Sequence, residues 1–113
     1  MKKIEAIIRP EQLEDIKESL KPLDLNGISI TQIMGFGCQK GWTEFIRGSE
    51  VDFNFLPKIK IELIVSEEHA ENVIEQIIAA AKTGEIGDGK IFISEIQDAI
   101  RIRTGERGLN AIK

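Results

Sequence analysis

Apolar and polar residues alternate at the start of the chain. Ile4, Ala6 and Ile8 fall on one side of an extended segment, and Glu5 and Ile7 fall on the other. That period of two is the pattern of a strand. The same alternation returns from Ile59 to Val65. Each strand runs into a helix-period segment. Pro10 suits an opening helical turn, where the N–H it lacks has no intrahelical partner anyway, and Leu13, Ile16 and Leu20 then share a face. Ser66 is a natural N-cap, and Glu67 and Glu68 suit the positive end of the second helix. Ala70, Val73, Ile74, Ile77, Ile78 and Ala81 make a broad apolar stripe along it. Gly27 and Gly84 punctuate equivalent places after the helices, and Ile28–Met34 and Lys90–Ser94 read as further strands.

The two halves repeat one another. "KIEAIIRPEQLEDI" from Lys3 aligns without gaps on "KIELIVSEEHAENV" from Lys60, matching Lys3 to Lys60, Ile4 to Ile61, Glu5 to Glu62, Ile7 to Ile64 and Glu14 to Glu71. The order is β-α-β, a long intervening segment, and β-α-β. Two such halves most economically form a four-stranded antiparallel sheet with two helices on one face, an α+β ferredoxin-like fold. The other face keeps apolar positions such as Ile7 and Phe92, and self-association would cover them. The intervening segment, "GFGCQKGWTEFIRGSEVDFNFLPK" from Gly35 to Lys58, is far longer than an ordinary connection of about 4–6 residues. A loop of that length that carries Trp42, Phe45, Phe53 and Phe55 is the first functional suspect.

Composition narrows the field. A chain of 113 residues suits one domain, spanning 1–113. The net charge of −4 argues against non-specific nucleic-acid binding, which needs a positive field. A single cysteine, Cys38, excludes an intramolecular disulfide and fits a reducing compartment. Charges at Glu5 and Arg9 interrupt the apolar opening as a signal peptide would not allow, and no apolar run approaches the roughly 20 residues of a membrane span. A cytoplasmic location is expected.

Nine of the ten glycines fall in three clusters: the long segment, "TGEIGDGKIF" at 83–92, and "RIRTGERG" at 101–108. Glycine reaches positive φ and lets a ligand approach the backbone. Gly87, Asp88 and Gly89 can turn successive N–H groups toward an anion as a nest, with Lys90 as a point charge beside it. The spacing is not that of a Walker A loop, and a plain turn before a strand is the competing reading. Arg101 and Arg103 share a face if their segment is extended, and two guanidiniums so placed suit phosphate oxygens; a solvated basic edge is the alternative. Together with Lys58 these are candidates for a polyphosphate site, with a plain turn and a solvated basic edge as the competing reading. For catalysis the sequence offers little. His69 is the single histidine and sits in a first helical turn, no Cys/His cluster suggests zinc, and Cys38 has no obvious base partner. The residues favour binding an anion over transforming it.

These stretches, with "MKKIEAIIRP", "GFGCQKG", "RGSE", "FLPKIKIE" and "IRIRTGERG", closely resemble the PII signal transduction proteins that accompany ammonium transporters, over nearly the whole chain. The resemblance implies a homotrimer with ATP or ADP in the clefts between subunits. It implies a T-loop at about 37–55, a nucleotide-binding B-loop at about 82–90 and a C-terminal segment at about 101–113. Base and ribose would be held at Ile7, Ser29, Gly37, Glu62 and Ile64, with Gly35 and Cys38 also in the nucleotide shell. The phosphates would lie on Gly87, Asp88, Gly89 and Lys90 and on Arg101 and Arg103. Gln39, Lys40, Gly41, Lys58 and Gly87 would hold 2-oxoglutarate beside Mg-ATP, and Gln39 would complete the magnesium shell.

The same resemblance makes the loop the output device, with Trp42, Phe45, Arg47, Ser49, Glu50 and Val51 facing a partner. That partner is an ammonium transporter of the Amt family, whose pore mouth Arg47 would enter. Glutamine synthetase and transcription regulators are further partners in this reading. Nucleic acid is not contacted directly, and the membrane is reached reversibly and only through the transporter. The chain departs from the family where a tyrosine usually follows the "RG-small-E" run. Val51 stands there and the chain has no tyrosine, so nucleotidylation of that side chain is chemically excluded. Cys38 replaces a common arginine near the phosphates. The expected function is a nitrogen and energy sensor, not an enzyme beyond weak ATPase activity. A PII-like sensor of another nucleotide or metabolite is the alternative.

Overall fold

The structure, a computed structural model, describes residues 1–37 and 54–113. The element order is β1 (Lys2–Ile8), α1 (Leu13–Leu20), β2 (Ser29–Gly37), β3 (Asn54–Val65), α2 (Glu67–Ala81) and β4 (Lys90–Glu95). Short 3-10 turns cover Pro10–Gln12, Lys21–Leu23 and Gly108–Ile112. Pro10 indeed opens the first helical stretch, as its locked φ favours.

The strands form one sheet in the order β2-β3-β1-β4. All three ladders are antiparallel, with Ile4 opposite both Leu63 and Ile93. Each βαβ half leaves a gap between its strands, and a strand of the other half fills it: β3 lies between β1 and β2, and β1 between β3 and β4. This is the ferredoxin-like double βαβ expected from the repeat.

The core sits between the sheet and the two helices. Ile4, Ala6 and Ile8 of β1 and Ile59, Ile61, Leu63 and Val65 of β3 are buried against Ile16 and Leu20 of α1 and Ala70, Val73, Ile77 and Ala81 of α2. The helical stripe is narrower than its sequence suggests. Ile74 is half-buried and Ile78 is 48% exposed, because α2 leaves part of edge strand β4 uncovered. An apolar cavity of about 350 Å³ opens there, lined by Ile7, Ile74, Ile78, Lys90, Ile91 and Ile93 among others.

Three local expectations are corrected. Ser66 does occupy the N-cap, but its hydroxyl meets the His69 ring Nδ1 at 2.7 Å and makes no cap bond to the backbone. The strands flanking the long segment reach further than expected. Backbone pairing continues through Gly35↔Leu56, Phe36↔Phe55 and Gly37↔Asn54, so Gly35 and "FLPK" belong to a sheet arm. Pro57 is tolerated because it lies beyond Ile59, the last β3 residue paired with β1, where β3 has a neighbour on one side only. Finally, residues 101–104 form a turn, not an extended run. The Gly105 N–H donates to the Arg101 carbonyl at 2.7 Å, the Arg101 N–H donates to the Glu106 carbonyl at 2.9 Å, and Gly105 takes φ +76° to allow it. Arg101 and Arg103 therefore do not share the face of a strand.

Candidate functional site

The site is built at the C-terminal end of β1. Ile7 pairs with Lys60 of β3 on one side and Lys90 of β4 on the other. Alternation puts Ile7, Lys58, Lys60, Glu62, Ile64, Lys90 and Phe92 on the sheet face away from the helices. Cross-strand ion pairs line that face, Lys3 to Glu62 at 3.2 Å and Lys60 to Glu5 at 3.3 Å. Partly exposed pairs like these are each worth about 0–1 kcal/mol.

The glycine turn before β4 is docked onto this end. Gly87 and Gly89 take φ +107° and +98°, the left-handed region that aims neighbouring N–H groups in one direction. Gly89 lies so close to β1 that a Cβ would come 1.7 Å from the Ile7 carbonyl oxygen. Gly87 is held through its carbonyl, which accepts from Lys58 Nζ at 2.9 Å. Two segments singled out in the sequence, "FLPK" and "GDGK", thus meet.

Asp88 has a different place from its neighbours. Its carboxylate is turned into the loop, accepting from the Thr83 N–H at 2.8 Å, the Gly84 N–H at 2.9 Å, the Thr83 hydroxyl, and Arg9 Nη1 at 2.8 Å. It shapes the turn and presents no oxygen to an incoming anion. These partners favour the ionised form: the Thr83 hydroxyl most, then the Thr83 N–H, with Gly84 and Arg9 adding to it. They hold the Asp88 pKa at about 2, below the ordinary 3.8. A carboxylate with a lowered folded-state pKa stabilises the fold fully above its unfolded value and loses that contribution as pH falls through the lowered one. The Thr83 and Gly84 amide resonances are therefore expected to stay put at pH 4 and to shift with a midpoint near pH 2. A midpoint near pH 4 in an NMR titration would show that Asp88 does not organise the turn.

Arg9 was not singled out by the sequence, where it reads only as a charge at a strand end. It is the turn's main brace. Nη1 donates to Asp88 Oδ1 and, at 3.3 Å, to Thr83 Oγ1, while Nη2 donates to the Ile86 carbonyl at 2.7 Å. Its guanidinium lies beneath Gly87, where a Cβ would come 2.8 Å from Nη2.

The other candidate residues lie elsewhere. Ser29 pairs with Glu62 in the β2–β3 ladder, and Ile64 pairs with Lys3. Along β3, Lys58 and Ile64 are about 20 Å apart, at about 3.3 Å per residue. Ile64 borders a second cavity, of about 340 Å³, with Asn26, Leu109, Ile112 and Lys113. The Arg101 guanidinium faces this C-terminal segment. Nη1 donates to Glu106 Oε1 at 2.6 Å, and Nη2 donates to the carbonyls of Asn110 at 3.0 Å and Lys113 at 2.7 Å. Arg103 is exposed. Ile7, Gly35, Lys58, Gly87, Gly89 and Lys90 thus gather at one end of the sheet, while Ile64 and Arg101 share the C-terminal side. Cys38, Gln39, Lys40, Gly41, Trp42, Phe45, Arg47, Ser49, Glu50 and Val51 lie outside the described residues. Among the described residues no group of His, Cys, Asp or Glu is arranged to hold a metal ion, and no helix is long and apolar enough to cross a membrane.

The fold and the candidate site define the class: a ferredoxin-like domain with a glycine-lysine turn braced against its central strand. The family model described as "Nitrogen regulatory protein P-II" matches residues 1–106. A nitrogen regulatory protein P-II of Rhizobium meliloti is 57% identical over 112 residues, covering 99% of this chain and 100% of the relative. Its counterparts in Rhodospirillum rubrum and Haemophilus influenzae are 57% and 53% identical over the same coverage. The chain belongs to the P-II nitrogen regulatory protein family.

Proposed function

We propose that the protein is an ATP/ADP and 2-oxoglutarate sensor that acts as a homotrimer and regulates an ammonium transporter through the segment at 37–55. The observation that supports it most is the split of the candidate residues between two ends of one sheet face. The glycine turn, Lys58 and Lys90 offer cationic and N–H groups at one end. Ile64 and Arg101 belong to the other end, about 20 Å away along the strand. A nucleotide cannot span both within one chain. A second copy that brings its Ile64 and Arg101 end against the glycine-turn end completes the set, and it covers exposed apolar residues such as Phe92 at the same time.

The long segment begins and ends on the same arm that carries Gly35 and Lys58. A 2-oxo acid charge-paired to Lys58 beside Mg-ATP therefore bears on the base of the loop. Coupling of about 1–3 kcal/mol is enough to switch a partner. The Asp88 carboxylate on the glycine turn is engaged by Thr83, Gly84 and Arg9, and we read the protein as a regulator, with hydrolysis at most a slow side activity.

Calorimetry of the intact protein with Mg-ATP, ADP and 2-oxoglutarate tests this. Nucleotides are expected to bind, and 2-oxoglutarate to bind appreciably only with Mg-ATP present. Co-sedimentation with vesicles holding an Amt-type transporter, run in the same three ligand states, tests the output. Absence of nucleotide binding would sink the sensor reading, and ligand-independent failure to sediment would sink the transporter arm.

A further inference from the structure

We propose that Arg9 is a positioning residue for the polyphosphate part of the ligand: it sets the shape of the Gly87–Lys90 turn without touching the ligand itself. The inference rests on the proposed nucleotide site. Arg9 directly follows β1 and reaches Asp88 in the glycine loop, 79 positions away in sequence. One guanidinium joins three separate parts of that loop: the Thr83 hydroxyl at its start, the Ile86 carbonyl in its middle and the Asp88 carboxylate near its end. Planar, forked donors are what such a three-way junction needs, and an ammonium on a flexible stem cannot reproduce it.

The junction fixes the turn from below. Its Arg9 side chain is only about one-fifth exposed, and its charge is matched by Asp88. It is therefore a poor second cation for an incoming phosphate. What it controls is whether the Gly87 and Gly89 backbone can hold its left-handed geometry between the Ile7 carbonyl and Lys58. Of the base and ribose candidates, Ser29, Gly37, Glu62 and Ile64 are on other strands, and Ile7 is fixed by its own ladder pairs with Lys60 and Lys90, so none of them makes a bond to the Arg9 guanidinium. Arg9 thus acts on the phosphate end alone.

The test compares Arg9→Lys with wild type, using inorganic tripolyphosphate, Mg-ATP and adenosine as probes. Tripolyphosphate and Mg-ATP affinity are expected to fall about tenfold, the usual worth of hydrogen bonds to a charged group. Adenosine binding and the thermal midpoint are expected to stay nearly as in wild type. In an Asp88→Asn background, where the junction is already broken, Arg9→Lys is expected to add little, so the pair should be strongly non-additive. Unchanged tripolyphosphate affinity in Arg9→Lys overturns the inference, as does an equal loss for adenosine or simple additivity with Asp88→Asn. If Arg9→Lys fails to fold, the comparison of Asp88→Asn with wild type decides: loss of tripolyphosphate without loss of adenosine supports the junction, and equal loss refutes it. A wild-type protein that binds none of the three probes would remove the nucleotide site itself, a result distinct from a wild type that binds and a variant that does not differ.

Discussion

Replacing Gly89 with alanine is expected to cost about 3–4 kcal/mol, the sum of an overpacked contact and a strained left-handed φ. The added Cβ would lie 1.7 Å from the Ile7 carbonyl oxygen and 2.8 Å from its carbon. Both are backbone atoms of a strand paired on both sides, so neither can swing away as a side-chain tip would. The φ of +98° adds its own strain for any residue with a Cβ. Gly105→Ala is the control. It has φ +76° but open space around it, and only the backbone penalty of about 1–2 kcal/mol applies. Urea denaturation of both variants decides the matter. Equal destabilisation would mean that the turn is not seated on β1 as described.

Ile4→Ala is the second large effect. Ile4 is fully buried at the centre of β1, opposite Leu63 and Ile93. Truncating a core isoleucine removes its transfer energy and leaves a cavity, about 2–5 kcal/mol together. For a domain near 100 residues that lowers the thermal midpoint by roughly 10–25 °C. Ile102→Ala is the informative counterpart, because Ile102 is 98% exposed in the single chain. A change within about 0.5 kcal/mol is expected where a side chain meets only water. A much larger cost at Ile102 would measure cover by another copy. A loss under about 1 kcal/mol at Ile4 would contradict the core assignment.

The parts of the fold that the sequence announces are those governed by local periodicity. Ile4, Ala6 and Ile8 alternate and are buried as a row, and Ala70, Val73, Ile77 and Ala81 recur at helical spacing and are buried as a stripe. Where two local signals conflict, the sequence misleads. Gly35, Gly37 and Pro57 punctuate like a loop, yet cross-strand pairing outweighs their poor strand propensity once β2 and β3 are already side by side. Arg101 and Arg103 alternate like a strand, yet Gly105 closes a turn behind them. The site was half legible. Gly87, Gly89, Lys90 and Lys58 carry their chemistry in their residue types. Arg9 does not, since its role depends on partners 74 to 79 positions away that only the folded topology brings near.

β1 lies between β3 and β4 and is paired on both sides from Lys2 to Ile7, so its amides are held on both edges of the strand. Segments of that kind exchange their amide hydrogens only through the rarest, most global openings. The glycine turn is exposed to solvent, yet its seat is the Ile7 carbonyl of this strand. A ligand held by the turn is therefore tied to the slowest-opening part of the molecule. Its binding energy adds to global stability as RT ln(1 + [L]/Kd), with little escape through local fraying. The amides of Ile4 to Ile8 become an internal gauge: their deuterium uptake reads occupancy of a site whose own loop exchanges too fast to report it.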